Sequence, residues 1–325
     1  MNETAAKSCL LVMPLAFYGF ARTITQALER RGYAVTGANE EYPATILTKV
    51  LSKLDLPIVR QWTRREINRR FLAGRRWDLV VIIKGRGVSP ELIADFKASG
   101  ARVVGYHFDA LSYDKGPRRW SPHADRVSTF DYRDAEEQGW PLVELFSTTP
   151  SPDTAPPIRF RISAIQRNHS DRLAYLDRVL SATGMEGAFV HIFESTPLNL
   201  IYNALRQPRL FWKWRRHISM KPLPYERYAE VLAGSDFTLD YAHPGQTGAT
   251  MRSMEALALG VKLISNNGRM LSGRRFDDRN VIAFPLTGDP DQLKRRMEAL
   301  SGRRPEPFRR SPDDFVAEVL GDPSG

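Results

Sequence analysis

Short apolar runs and stretches of helical period alternate along most of the chain. Cys9-Leu10-Leu11-Val12-Met13 is a continuous apolar run, residues 14–19 interrupt it, and Arg22, Ile24, Leu28 and Arg30 then follow a helical spacing. Gly32 ends that helix and Tyr33-Ala34-Val35 opens a second strand. The alternation returns with a strand over 77–84, a helix over 89–99 and a strand over 102–107. Ser89-Pro90-Glu91 reads as the cap, first position and acidic first turn of that helix, since a serine oxygen accepts from unpaired N–H groups and proline lacks one. Such a strand–helix–strand series predicts a parallel sheet covered by helices on both faces.

Residues 147–157 break the series. Four prolines and almost nothing apolar there predict a linker or domain crossing. Beyond it, strands are predicted over 159–164, 188–193, 237–241 and 261–265, and helices over 171–183, 225–234, 250–259, 289–300 and 313–320. A length of 325 residues suits two domains of about 150 residues each better than one core. The expected organisation is α/β, with an N-terminal domain over 1–150, a second over 151–300, and a tail over 301–325 whose helix returns to the first. Two such domains facing a cleft would hold a ligand at the carboxyl ends of their strands.

Composition adds little until charge is counted. Apolar residues at 42% and charged residues at 26% are ordinary for a folded globular chain and exclude a disordered or fibrous one. Yet 47 Lys plus Arg against 37 Asp plus Glu gives a net charge of +10. An acidic partner is expected: a phosphorylated small molecule, an anionic membrane surface or nucleic acid. The one cysteine, Cys9, excludes an internal disulfide and a cysteine-based zinc site, and its apolar neighbours place it in the core. No stretch approaches the roughly 20 apolar residues of a membrane span, and Asn2-Glu3-Thr4 before a short apolar run does not suit a secretory leader. A cytoplasmic location is expected.

The first strand-to-helix turn lacks the G-x-G-x-x-G of dinucleotide-binding domains, and no Walker A sequence occurs. The richest segment is 239–260. There a strand ends in a loop, His243-Pro244-Gly245-Gln246-Thr247-Gly248-Ala249, that opens a helix containing Thr250, Met251, Arg252, Met254 and Glu255. Glycines permit close approach and a helix N-terminus carries partial positive charge, so the turn suits an anion. Thr247 or Thr250 would cap the helix or bond the anion, Arg252 would balance a phosphate, and Glu255 would accept from a ribose diol. The same residues also suit a plain turn with a surface Arg252–Glu255 pair worth about 0.3 kcal/mol.

This segment, with Lys262-Leu263-Ile264-Ser265-Asn266-Asn267 after it, resembles the C-terminal motif of the CgeB-like and the capsular or lipopolysaccharide glycosyltransferases, which have the GT-B fold of two Rossmann-like domains. Gly105-Tyr106-His107-Phe108-Asp109, Thr129 to Ala135 and His169-Ser170-Asp171-Arg172 extend the resemblance over most of the chain. One departure is that relatives usually carry a glycine after the strand that precedes His169. The resemblance implies transfer of a sugar from a nucleotide-sugar donor to a glycan or lipid-linked acceptor in envelope polysaccharide or lipopolysaccharide synthesis, with neither a metal nor another cofactor. His243, Gln246, Thr247, Gly248, Thr250, Arg252 and Glu255 would form the donor site, with Arg172 near the phosphates. The acceptor would lie against the N-terminal domain.

A catalytic base is sought where a strand ends, at Asp109 first and His107 second; a plain strand end fits the same residues. Asp131, Asp134 and the D-x-D at Asp289 read as caps or loop residues. Two basic clusters interleave cations with aromatics: Trp62, Arg64 and Arg65 within 60–76, and Trp212, Trp214, Arg215 and Arg216 within 206–221. They suit the inner membrane surface, where Trp lies at headgroup level, and also solvated helices whose aromatics point inward. Single-stranded nucleic acid is the less favoured partner, because no known binding motif accompanies the clusters and the 243–255 block would stay unexplained. A non-catalytic glycan-binding relative is a third possibility.

Overall fold

The computed structural model describes residues 6–15, 18–149, 155–273 and 275–322. Part of the expected linker, 150–154, falls outside them. The chain divides into two compact units, residues 1–145 with 311–325, and residues 146–310.

The first unit begins β1 (Lys7–Val12), α1 (Tyr18–Arg30), β2 (Tyr33–Ala38), α2 (Ile46–Lys53) and α3 (Pro57–Ile67). It continues with β3 (Leu79–Ile83), α4 (Pro90–Ala98), β4 (Arg102–His107), β5 (Arg126–Thr129) and α5 (Tyr132–Gln138). Its five strands are all parallel in the order β2-β1-β3-β4-β5. Every residue of β3 is buried, as expected of a strand covered on both faces, and Cys9 lies wholly in the core. Desolvation pushes the Cys9 thiol up to about 12, which leaves it unreactive. Ser89 caps α4 by accepting from Leu92 N–H, and Asp131 caps α5 through Arg133 and Asp134 N–H, so both cap readings hold.

The second unit runs β6 (Phe160–Arg167), α6 (Arg172–Thr183), β7 (Ala188–Phe193), α7 (Pro197–Arg206), α8 (Pro208–Trp214), β8 (Ile218–Ser219) and α9 (Tyr225–Ala233). It closes with β9 (Ser235–Asp240), α10 (Met251–Ala258), β10 (Lys262–Ser265), β11 (Val281–Ala283) and α11 (Pro290–Leu300). Its six-stranded parallel sheet is ordered β11-β10-β9-β6-β7-β8. One core joins α6, β6, β9, β10 and α11 through Tyr175, Ile162, Phe237, Ile264 and Leu293. Asp289 accepts from Asp291 N–H, so the D-x-D is a cap, as its sequence position indicates.

The last helix, α12 (Pro312–Leu320), belongs to the first unit. Phe315 meets Tyr106 of β4 edge to face, with ring centroids 4.8 Å apart. Its carboxyl end is closed by two arginines of the sheet: Arg102 donates to Leu320 C=O, and Arg126 to Val319 and Glu318 C=O. Cations at a helix C-terminus satisfy carbonyls that lack intrahelical partners and oppose the macrodipole.

Candidate functional site

In both sheets the chain leaves its first strand in two directions, and an open parallel sheet binds ligands at the carboxyl ends of the strands that flank this switch. In the second unit those strands are β6 and β9. The loops beyond them carry Asn168-His169-Ser170-Asp171 and residues 241–249.

The loop after β6 is tightly held. Ser170 takes a left-handed backbone, φ 55°. A non-glycine residue there is strained by about 1 kcal/mol, and such strain gathers at functional sites. Asp171, the cap position of α6, makes no side-chain cap bond. Arg172, the first residue of α6, is largely enclosed; its Nε is buried with no hydrogen-bond partner among the described residues. Burial, and then the nearby Arg252, lower the Arg172 guanidinium to about 10. His169 keeps an exposed edge, yet partial desolvation and the positive charge of Arg172 and Arg167 lower its imidazole to about 4, with the His243 ring adding to the effect. Neutral pH therefore finds His169 uncharged.

Arg252 comes from α10 on the other side of the switch. One Nη stands 3.9 Å from Asp240 Oδ1, while its Nε is also buried without a partner among the described residues. Desolvation works against its charge, but Tyr228, Asp240 and Glu255 together raise its pKa. Glu255 accepts from the Tyr228 hydroxyl, and burial raises its carboxyl pKa. Arg252 and Glu255 are thus members of a half-buried polar network, and the surface-pair reading fails.

Asp240, the last residue of β9 and almost wholly buried, organises the turn. It accepts from the Thr250 hydroxyl at 3.0 and 2.9 Å and from the Ser253 hydroxyl at 2.5 Å. Thr250 in turn caps α10 by accepting from Ser253 N–H, with Ser253 returning the bond in a capping box. The Thr250 hydroxyl is thus committed to Asp240 and the cap, and it shapes the loop. Thr247 is buried, and its carbonyl and that of Gly248 accept from Asn267, while Asn266 exchanges two bonds with Ala242. The Asn266-Asn267 pair after β10 therefore fixes the loop. His243 Nδ1 accepts from Gly245 N–H at 3.2 Å and its carbonyl from Gln246 N–H at 2.8 Å. With Nδ1 as an acceptor, the His243 ring carries its proton on Nε2.

In the first unit, one predicted base is displaced. His107 is completely buried, with its ring stacked on Trp140 at 4.8 Å and against Trp120 at 5.3 Å, and Nε2 within 2.9 Å of the Ser121 hydroxyl. Desolvation lowers it to about 3. It is a core histidine, because β4 turns this side chain inward. Space for Trp120 comes from Gly85 and Gly105, where a Cβ would come within 2.7 and 2.6 Å of neighbouring side-chain atoms. Asp109 lies beyond the end of β4, mostly enclosed, and pairs with Lys84 at 2.7 Å. Sequence reasoning passed over Glu40, just after β2. It is buried, accepts from Arg86 N–H at 3.0 Å, and desolvation raises its carboxyl to about 7. A Glu40-Glu41 pair following a strand is the only signal the sequence holds for it.

The basic clusters separate by residue. Arg64 forms a two-pronged bond to Asp95 of α4 at 2.6 and 2.9 Å, which makes it a brace between helices. Trp62 and Arg65 line a cavity of about 530 Å³ with Tyr42, Pro43, Ala44, Glu66 and Arg70. Trp214 is buried, its Nε1 donating to Asp177 at 2.9 Å, so it belongs to the core and cannot reach a membrane surface. Trp212, Arg215 and Arg216 are exposed. No described helix is long and apolar enough to cross a membrane.

No family model and no curated protein sequence matches the chain. Solved structures do. The UDP-GlcNAc 2-epimerase of Methanocaldococcus jannaschii, solved with UDP-GlcNAc and UDP, is similar at a TM-score of 0.53 and 11% identity, over 97% of this chain and 98% of that one. A glycosyltransferase of Rickettsia africae is similar at 0.52 and 12% identity, over 97% and 99%. AviGT4, a glycosyltransferase involved in avilamycin A biosynthesis, is similar at 0.52 and 12% identity, over 97% and 92%. At these identities the likeness defines the fold: two Rossmann-like units of the GT-B class.

Proposed function

We propose that the protein is a glycosyltransferase of envelope polysaccharide or lipopolysaccharide assembly, whose second unit holds a nucleotide-sugar donor at the switch between β6 and β9. The observation that carries this is the pair Arg172 and Arg252, two enclosed guanidinium groups with unpartnered Nε–H donors at one sheet end. Like charges confined together call for an anion, and a diphosphate supplies it. Glu255 would accept from the ribose and His243 Nε2–H would add a donor. As the bond between the anomeric carbon and the diphosphate oxygen breaks, both electrons leave with the diphosphate, and the two arginines would stabilise that charge. The hydroxyl of a glycan or lipid-linked acceptor, bound by the first unit, forms the new bond to the anomeric carbon. Its proton goes to Asp109 in an inverting reaction, or to the departing phosphate in a retaining one.

A second reading, epimerisation of the nucleotide sugar, draws on the likeness to the M. jannaschii enzyme and uses the same diphosphate site. Calorimetry with UDP and other nucleoside diphosphates tests what both share; absence of binding to all of them would remove both. Incubation with a panel of nucleotide sugars separates them, since transfer or hydrolysis releases nucleoside diphosphate and epimerisation leaves the nucleotide sugar intact with an inverted centre.

A further inference from the structure

Helix α7 is packed inside out. Thr196 caps it by accepting from Asn199 N–H, and Asn203 turns into the unit, where its amide donates to Asn168 C=O at 3.1 Å and to Glu194 at 2.9 Å. Leu198, Ile201, Tyr202 and Leu205, spaced three or four apart, form the opposite face. They are 78%, 56%, 63% and 78% exposed. A soluble helix ordinarily buries its leucines and shows its asparagines to water; a contiguous apolar stripe left outside marks an interaction surface. On α8, packed against α7, Trp212 is 65% exposed as well, with the Arg215 guanidinium 5.3 Å above its ring.

The surroundings of this stripe say what covers it. Between Glu194 and Glu226 the sequence has no acidic residue and six Lys or Arg. Asp171 and Asp177, from α6 and its approach, neutralise Arg206 and Lys213, whereas Arg209, Arg215, Arg216 and Lys221 are exposed with no carboxylate partner among the described residues. A second copy of a chain carrying +10 would add positive charge to positive charge. Apolar residues, an interfacial tryptophan and unpaired cations together match an anionic bilayer, whose acyl boundary takes the leucines and whose phosphates take the arginines.

We propose that α7 is a membrane-docking helix, lying in the plane of an anionic bilayer with Leu198, Ile201, Tyr202 and Leu205 below the headgroups and the cations of α8 and the turn after it at phosphate level. This docking is independent of the reaction the protein catalyses, and it moves the membrane contact from Trp214 to α7. The test uses the full-length chain and co-sedimentation with vesicles of phosphatidylcholine, with or without phosphatidylglycerol. Binding is expected only with phosphatidylglycerol, weakening as salt is raised, with Trp212 emission shifting to the blue on binding. L198Q/L205Q should lower vesicle affinity at least about tenfold at an unchanged melting temperature, since both side chains already face water. R215E/R216E should lower it about tenfold and remove much of the salt dependence. The proposal is overturned if wild type ignores anionic vesicles, if L198Q/L205Q binds them as wild type does, if the protein binds single-stranded oligonucleotide in their place, or if it forms a dimer that L198Q/L205Q converts to monomer.

Discussion

Arg172 and Arg252 approach each other from opposite sides of the switch in the second sheet, one from the first turn of α6 and the other from α10. Each buries an Nε–H with no partner among the described residues, and Arg252 helps to lower the pKa of Arg172. Folding alone gains nothing from that arrangement: like charges enclosed together, with buried N–H donors left unmet, are among the more costly features a protein carries. It is better understood as a site prepared for an anion.

Separate substitutions should split binding from stability. R172M and R252M are each expected to weaken nucleoside diphosphate binding about 10- to 100-fold, the worth of a charge-assisted hydrogen bond. R172M, which removes a repelled charge, should leave the melting temperature unchanged or raise it. R252M should lower it, because Asp240 and Glu255 lose their nearest cation. Calorimetry and thermal melts read both quantities, and equal affinity in wild type and both variants would take the arginines out of the site.

His169 supplies a pH signature. Its pKa, near 4, lies below that of an unfolded histidine, so the folded chain binds fewer protons and loses stability as pH falls through that window. A bound diphosphate opposes the arginine charge and should raise the His169 pKa. UDP affinity should consequently rise as pH falls from the ordinary histidine range toward 4. Histidine-selective NMR titration with and without UDP measures the shift; an unmoved resonance would place the anion elsewhere.

Glu40 has the opposite sign. With its folded pKa raised to about 7 by desolvation, the folded chain keeps a proton that the unfolded chain releases at an ordinary glutamate value. Its contribution to stability therefore falls as pH rises across that interval and levels off above 7. Gln cannot ionise but keeps the acceptor for Arg86 N–H, so E40Q should gain stability over wild type as pH rises from 5 to about 7. Melting curves across that range check it.

Lys262 and Asp236 form a buried pair between neighbouring strands, and Asp236 also accepts from Gly302 N–H at 3.0 Å. K262M strands the carboxylate and should cost about 3 kcal/mol or more in urea unfolding. K262M/D236N, which removes the stranded charge while keeping an acceptor, should recover part of the loss.

Local chemistry was legible because it depends on neighbours in the sequence. The caps at Ser89, Asp131 and Asp289, the buried Cys9 and the alternating strand-helix order need only a few adjacent residues. The short edge strands β8 and β11 and the helix α7 escaped notice, since two or three residues carry no periodicity and α7 has its stripe without indicating which way it faces. His107 and Trp214 depart from expectation, facing the core, for a related reason. A residue at a strand end or in a basic cluster has the right type for function, but which side it faces depends on the elements packed around it.

By itself the sequence determined a two-part α/β chain with a helix-opening loop at 243–250 and an excess of positive charge. Tertiary structure alone decided that Asp240 would gather Thr250 and Ser253, that Arg172 and Arg252 would meet across residues eighty apart in sequence, and that α7 would turn its leucines to water. Periodicity records how a segment folds upon itself, whereas burial, charge repulsion and unmet hydrogen bonds arise only when distant segments share one space.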